Sequence, residues 1–224
     1  MVLLSKLKLQ AVSQHRGDES IIANLGGGFK YIKQNNLIFY LIVMGAVSTI
    51  FVMPYQALMP VFARDILHSG SQGLGVLLGA AGVGAFAGSM FLASIDVPKN
   101  LGKLLLTAAI VGGIALIPFA MSPIFNLSVV FVFFVGLMMQ LQMTSNVTAV
   151  QLTVPDEFRG RVISIRMVIF GMMPVGQMLS GWASELVGAP AAIASAGIIA
   201  SVLMAVITIV SRDIRGLWGG LVVK

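Results

Sequence analysis

The chain contains no cysteine and only two histidines among its 224 residues. Without cysteine it can form no disulfide, thiolate nucleophile or Cys-based metal site. His15 and His68 both lie in polar stretches. Because no two histidines are four residues apart, the His-Glu-x-x-His zinc motif is absent, and so is the phosphate-binding pattern G-x-x-x-x-G-K-[ST]. We therefore predict no catalytic residues, no metal site and no cofactor, and we do not interpret the chain as an enzyme.

Charge is also scarce in this sequence. Charged residues make up 10% and hydrophobic residues 58%, whereas soluble domains carry about 25% charged residues. The net charge is +6, but the basic residues are spread over several segments instead of forming one patch, so we predict no nucleic-acid binding. A lipid bilayer with anionic headgroups is the partner that this composition favours.

Long apolar runs fill most of the chain. Because a hydrocarbon core of roughly 30 Å needs about 20 apolar helical residues, we predict an all-α integral membrane protein with six transmembrane helices. These predicted spans cover residues 37–59, 73–95, 103–121, 127–150, 162–186 and 191–210. Residues 1–36 are interpreted as a cytoplasmic linker, and residues 211–224 as a cytoplasmic tail.

The basic residues predict the orientation of the spans. If the gaps are assigned alternately to the two sides, thirteen of the fourteen Lys and Arg residues share one side, and only Arg64 lies on the other. The positive-inside rule then predicts a multi-pass protein of the cell (inner) membrane with both termini in the cytoplasm. Apolar residues at helical spacing in 21–32 also suggest a short amphipathic helix at the membrane surface, although three consecutive glycines disfavour it.

Small residues and proline predict how two of the spans pack. Ala80, Gly84 and Gly88 recur at every fourth position of the second span, which is the small-xxx-small pattern of close helix contact. Pro174 lies inside the fifth span, where its missing N–H predicts a kink.

The fourth span is unusually polar. Gln140, Thr144, Thr148 and Gln151 lie on one face at helical spacing, and Gln56 adds an amide to the first span. An unpaired amide in hydrocarbon costs several kcal/mol, so these groups face either other helices or a water-filled cavity. Two interpretations stay open: these five residues line a substrate cavity, or they form interhelical hydrogen bonds.

Ionisable residues are absent from the middle of the predicted spans. Arg166 near the inner end of the fifth span and Glu185 near its outer end are interpreted as anchors that reach the membrane surface. We therefore expect any proton-coupling acid to lie on another segment.

The segment 154–162, V-P-D-E-F-R-G-R-V, also has two interpretations. Pro followed by two acids opens a helix, and the arginines can simply anchor it at the membrane surface. Alternatively, Asp156, Arg159 and Arg161 form a cytoplasmic charge cluster that docks another segment in one conformational state.

This segment carries a family resemblance. P-D-E-F-R-G-R-V-I-S-I, followed by G-x-x-P-x-G-x-x-x-S-G from Gly171 to Gly181, resembles the tenth and eleventh helices of major facilitator superfamily transporters. P-Y-Q-A-L-M-P-V-F-A-R-D from Pro54 to Asp65 resembles their seventh helix and its outer loop. The chain is most similar to the bacterial efflux branch that includes enterobactin-exporter-like proteins, and the resemblance spans residues 21–212.

The resemblance implies that the six spans are helices seven to twelve, one half-bundle of a twelve-helix fold. It implies efflux of a small amphipathic substrate by alternating access, as a proton-coupled antiporter without ATP. In that family the seventh and tenth helices, here the first and fourth spans, line the central cavity. The partner would be a missing N-terminal six-helix half or a second copy.

Two alternatives to a complete permease stay open from the sequence. The chain is a half-transporter that works as a dimer or with a separately encoded partner, or it is a truncated and inactive fragment. A lone half would expose polar groups of the fourth span to lipid, which favours a partner.

Overall fold

A computed structural model of the chain describes residues 21–95, 97–211 and 214, and this part of the chain is helical. The predicted linker up to residue 20 and the predicted tail, apart from Ser211 and Ile214, lie outside the described residues. The first helix, α1, covers Ile21–Gln34 and precedes the membrane spans.

Six helical stretches among the described residues are long and apolar enough to cross a membrane, which confirms the prediction of an all-α fold with six spans. Numbered one to six, they are Asn36–Ile66, Gly70–Ala93, Leu101–Met121, Phe125–Thr153, Asp156–Val187 and Ala189–Val210. The helix that contains span three begins earlier, at Val97. The links between spans are short, and Gly188, with φ of +85°, makes the turn between spans five and six.

Span one is not a regular α-helix. It is α-helical over Asn36–Val47 and Tyr55–Val61, and π-helical over Ser48–Val52 and Phe62–Ile66. At the first π-helical segment the Met53 N–H donates to the Ser48 carbonyl oxygen over 2.9 Å. Pro54 follows directly and has no N–H to donate, so the wider turn and the proline together interrupt the regular hydrogen-bond ladder.

Span five is also interrupted. Its two helices, Asp156–Phe170 and Met173–Val187, meet at a turn of two residues, with Pro174 in the first turn of the second helix. The interruption lies where Pro174 and Gly171 predict a kink. A proline is tolerated in a first helical turn because the N–H there has no partner within the helix.

Glycines bring span two against span four at backbone distance. A Cβ built on Gly84 would lie 2.0 Å from the Phe133 carbonyl oxygen, and one on Gly88 would lie 2.8 Å from that of Leu137. Gly136 of span four approaches Ala81 in the same way, at 2.2 Å from its carbonyl oxygen. Ala80 is half-buried beside this stripe. In lipid no hydrophobic driving force brings helices together, because the acyl chains are as apolar as the side chains. Helices therefore associate through close packing of this kind.

Spans three and six pack closely at small residues in the same way. A Cβ on Gly197 would lie 2.6 Å from the Gly113 carbonyl oxygen, and Ser201 Oγ lies 3.3 Å from that of Ile110. Aromatic packing then joins span three to span one, since the rings of Phe62 and Phe119 stack with centroids 4.8 Å apart.

Helix α1 packs on the beginning of span five. Tyr31 stacks on Phe158 with ring centroids 4.2 Å apart and planes 3° from parallel. A Cβ on Gly27 would lie 2.9 Å from Arg161 Nη1, and one on Gly28 would lie 2.9 Å from Ile165 Cδ1. The glycines that disfavour a helix in the sequence thus give α1 a flat face against span five.

The packing of span two predicts a position-specific loss of stability. Gly84→Leu should destabilise the bundle by about 1–3 kcal/mol or more, because the new side chain must displace the backbone of span four. Gly82→Leu is the matched control, since a Cβ on Gly82 meets nothing within 4 Å. Thermal unfolding of the two detergent-purified variants measures the difference, and an equal loss at both positions would contradict this packing.

Candidate functional site

A pocket opens between spans one, four and five. Its cavity volume is about 40 Å³. Its walls are mainly aliphatic, thioether and aromatic, with polar groups from Ser48, Thr49, Gln142, Asn146 and Arg166. The apolar lining residues are Leu41, Ile42, Gly45, Met53, Met139, Met143, Ile169 and Phe170. No residue of spans two, three or six lines this pocket.

Asn146 joins the three helices that form the pocket. Its Nδ2 donates to the Leu41 carbonyl oxygen of span one over 2.9 Å, and its Oδ1 accepts from Arg166 Nη1 of span five. The side chain is almost fully buried, at 1% exposure. Since a buried amide without partners costs free energy, the geometry of all three helices is constrained by this one residue.

Arg166 is not only an anchor at the end of its span. Its half-buried side chain lines the pocket and donates to Asn146. Spans four and five both contact the first helix of span one, and the Asn146–Arg166 bond connects them beside it. Among the described residues, no acidic side chain pairs with this cation.

The irregular turn of span one shapes the opposite wall. Ser48, Thr49 and Met53 of the first π-helical segment line the pocket, and Thr49 Oγ1 donates to the Gly45 carbonyl oxygen over 2.9 Å. On the far side, a Cβ on Gly176 of span five would lie 2.8 Å from the Ile50 carbonyl oxygen. The bulged turn therefore lies between the pocket and the second half of span five. Such π-helical turns occur frequently at functional sites.

The structure places the five predicted cavity residues outside this pocket. Gln140 Nε2 donates to Thr144 Oγ1 over 3.1 Å within span four, and both side chains are half-buried, as is Thr148. Gln56 and Gln151 are exposed. Their role as cavity residues stays a prediction, because the pocket between spans one, four and five does not test it.

On span four, the pocket residues and the predicted cavity residues lie on different faces of the helix. Gln142 and Asn146 are spaced four apart, as Gln140 and Thr144 are, but they lie two residues further along and so nearly opposite on the helix. The signal that could have found them is Arg166, which lies four residues inside the predicted fifth span. A cation at that depth needs a polar partner on a neighbouring helix.

The predicted charge cluster lies at the beginning of span five. Asp156 Oδ1 and Arg159 Nη1 lie 2.6 Å apart as an exposed ion pair, and Arg159 Nη2 also donates to the Gln151 carbonyl oxygen over 3.3 Å. Arg161 approaches Gly27 of helix α1. The Asp156–Arg159 pair therefore lies at the junction between spans four and five, and the docking role of the cluster stays a prediction.

The chemistry that the pocket offers is binding. Its polar groups are amides, hydroxyls and one guanidinium, which donate and accept hydrogen bonds but do not form a nucleophile–base pair. Within the described part of the chain, no group of three or more His, Cys, Asp or Glu residues is placed to hold a metal ion.

Comparison with known families gives one match, which covers nearly the whole chain. The model of a major facilitator (MFS) family described as transmembrane secretion effector matches residues 1–215. No curated protein and no solved structure gives a match.

The Asn146 contacts predict a stability effect that depends on the partner of Arg166. Asn146→Leu should cost about 1–3 kcal/mol, because it leaves a guanidinium inside the bundle without its acceptor. Asn146→Asp should lose less, since its carboxylate still accepts from Arg166 although it no longer donates to the Leu41 carbonyl oxygen. Gln140→Leu is the matched control, because it removes only a bond within one helix. Thermal unfolding in detergent measures the loss of stability in each variant. If Gln140→Leu lost as much as Asn146→Leu, the role of Asn146 as the residue that joins the three helices would be refuted.

Proposed function

Because the chain belongs to the transmembrane secretion effector family of major facilitator transporters, we propose that it exports small amphipathic molecules by alternating access. The observation that carries this proposal is the pocket enclosed by spans one, four and five. It combines apolar walls with a few convergent polar groups, as sites for small molecules do.

The depth of the pocket supports binding within the membrane. Arg166 lies five residues after Arg161 of the charge cluster, which is about 7.5 Å along a helix. Asn146 lies seven residues from the end of span four at Thr153, or about 10 Å. Polar groups inside a membrane bundle are stable where protein or a water-filled cavity surrounds them.

Our proposal includes a second six-helix bundle, supplied by an N-terminal half or by a second copy of this chain. Only three of the six spans wall the pocket. We place the predicted residues Gln56, Gln140, Thr144, Thr148 and Gln151 on the wider cavity between the bundles. Their partial or full exposure in this bundle supports that placement.

The driving force in this proposal is a proton gradient across the cell (inner) membrane, with both chain termini in the cytoplasm. The strongly one-sided distribution of Lys and Arg supports this orientation. Since no acidic side chain of the described residues faces Arg166, the proton-coupling acid is assigned to the second bundle. The proposed substrates are those of the enterobactin-exporter-like branch in general character, amphipathic and small.

A side chain that fills the pocket should block export. Gly45 lines the pocket, and a Cβ there would lie 3.9 Å from Asn146 Oδ1, which is ordinary contact. Gly45→Ala should therefore retain efflux, whereas Gly45→Phe should raise dye accumulation to that of cells without the protein. The measurement is accumulation of the neutral dye N-phenylnaphthylamine in energised cells, with membrane levels checked by immunoblot.

Two further conditions make this test decisive. Gly82→Phe is the matched control, because it adds the same ring at a position with nothing within 4 Å. Cells that make the unaltered chain must also lose their efflux when an uncoupler collapses the proton gradient. Equal dye accumulation with and without the unaltered chain would contradict the proposed function.

The charge cluster generates a second test of the mechanism. Replacing Arg159 and Arg161 together by Ala should lower dye efflux several-fold at a normal membrane level, because both the Asp156 ion pair and the contact with α1 are lost. Arg64→Ala is the control, since Arg64 lies near the second end of span one, where it pairs with its neighbour Asp65 and not with the charge cluster. Unchanged efflux in the double variant would remove the cluster from the mechanism.

A further inference from the structure

Arg166 brings a positive charge into the pocket without a matching negative charge. Its hydrogen-bond partner, Asn146, is neutral, so the bond orients the guanidinium but does not neutralise it. Among the described residues no carboxylate pairs with it. Charges inside membrane proteins usually face a water-filled cavity or pair with an opposite charge. The pocket therefore has a net positive wall.

Arg166 and the polar groups beside it can form further hydrogen bonds. A guanidinium has five N–H donors, and within the described residues the only hydrogen bond of Arg166 is the one to Asn146. Gln142 lines the same pocket at 4% exposure and brings a side-chain amide to it. Ser48 faces them from span one. Buried polar groups that lack partners in the protein are the ones a ligand can satisfy.

The remaining lining residues of the pocket favour an apolar ligand. Met53, Met139 and Met143 contribute flexible thioethers from two helices, and Phe170 contributes an aromatic face. Methionine side chains adapt to ligands of different shape. A ligand that fills this pocket therefore needs an apolar body and, at the Arg166 end, an acceptor group.

We propose that the pocket binds amphipathic organic anions, with the sulfonate, carboxylate or phosphate group on Arg166 and Gln142 and the apolar body among the methionines. This proposal rests on the proposed function and narrows its substrate class. The anionic group replaces the missing counter-charge of Arg166, and a charge-assisted hydrogen bond is stronger than a neutral one. A cationic amphiphile of the same size is disfavoured because it brings a like charge beside Arg166.

A matched pair of fluorescent probes tests the charge preference. Anilinonaphthalene sulfonate and its neutral parent, N-phenylnaphthylamine, share one apolar skeleton and differ by the sulfonate. Binding is titrated on the full chain in liposomes of zwitterionic lipid, where emission sensitised by the two tryptophans separates bound probe from probe dissolved in lipid. The sulfonate should bind at least about tenfold more tightly than its parent, the factor expected of one charge-assisted hydrogen bond.

Variants assign the preference to Arg166. Arg166→Gln should remove the tenfold preference while leaving the affinity for the neutral parent unchanged, which also shows that the variant is folded. Arg166→Lys should retain part of the preference, because the charge remains without the planar fork. Arg64→Gln should leave both affinities unchanged, since Arg64 is exposed, pairs with Asp65 and does not line the pocket.

Three results would overturn the proposal. Equal affinities of the unaltered chain for both probes would mean that Arg166 serves another partner, such as a carboxylate of a second bundle. A preference that survives in Arg166→Gln would place the anion elsewhere. Loss of sulfonate binding when phosphatidylglycerol is added to the liposomes would identify the site as one for a lipid headgroup instead of a transported anion.

The proposal and the proposed function fail separately. If cells export N-phenylnaphthylamine but the liposomes show no sulfonate preference, the chain is an exporter without an anion site. If the preference is present and depends on Arg166, but cells export neither probe, the anion site exists and the export function is refuted.

Discussion

A hydrocarbon environment supplies no hydrogen bonds, so polar groups inside this bundle need partners in the protein or in a water-filled cavity. Asn146 meets that constraint for three helices, through the Leu41 carbonyl on span one and the Arg166 guanidinium on span five. An apolar residue at this position would leave both groups without their partner. The pocket exists between these helices because their contact is made by polar side chains at one depth and not by continuous apolar packing.

The remaining packing serves to keep the three pocket helices in position. Span two contacts span four through Gly84, Gly88 and Gly136, where the backbones approach closely. Spans three and six form a similar pair through Gly113 and Gly197, and the stacked rings of Phe62 and Phe119 connect span three to span one. The small residues thus hold these pairs of spans at close backbone distance.

Irregular backbone is concentrated at the pocket. Span one has a π-helical segment at Ser48–Val52, and span five is interrupted between Phe170 and Met173. Both irregularities border residues that line the pocket, and Gly176 lets the two spans meet where they occur. In membrane helices, broken hydrogen-bond ladders are tolerated where protein or a cavity surrounds them. Alternating access also needs helices that bend at defined points, which gives these segments a role in the proposed mechanism.

Much of the fold could be predicted from the sequence because its signals are local. A run of apolar residues long enough to span the bilayer must form a helix, and Pro174 must disturb one, whatever surrounds them. The spacing of Gly84 and Gly88 likewise predicts a face on which another helix can pack. The amphipathic pattern near Ile32 predicts a helix, but it does not show that Gly27 and Gly28 would lie against Arg161 and Ile165.

Which residues form the candidate site depends on how each helix is rotated about its own axis. The sequence does not reveal that rotation. Span four carries polar residues around much of its circumference, so periodicity supports the face of Gln140 and Thr144 as well as that of Gln142 and Asn146. Similarly, Arg166 at its depth is compatible with an anchor at the surface or with a cation in a pocket. The sequence by itself determined the number of spans, their apolar character and the position of the kink, because those follow from composition along one helix. Only the tertiary structure decided which face of span four meets Arg166, because that choice depends on how three separate helices pack together.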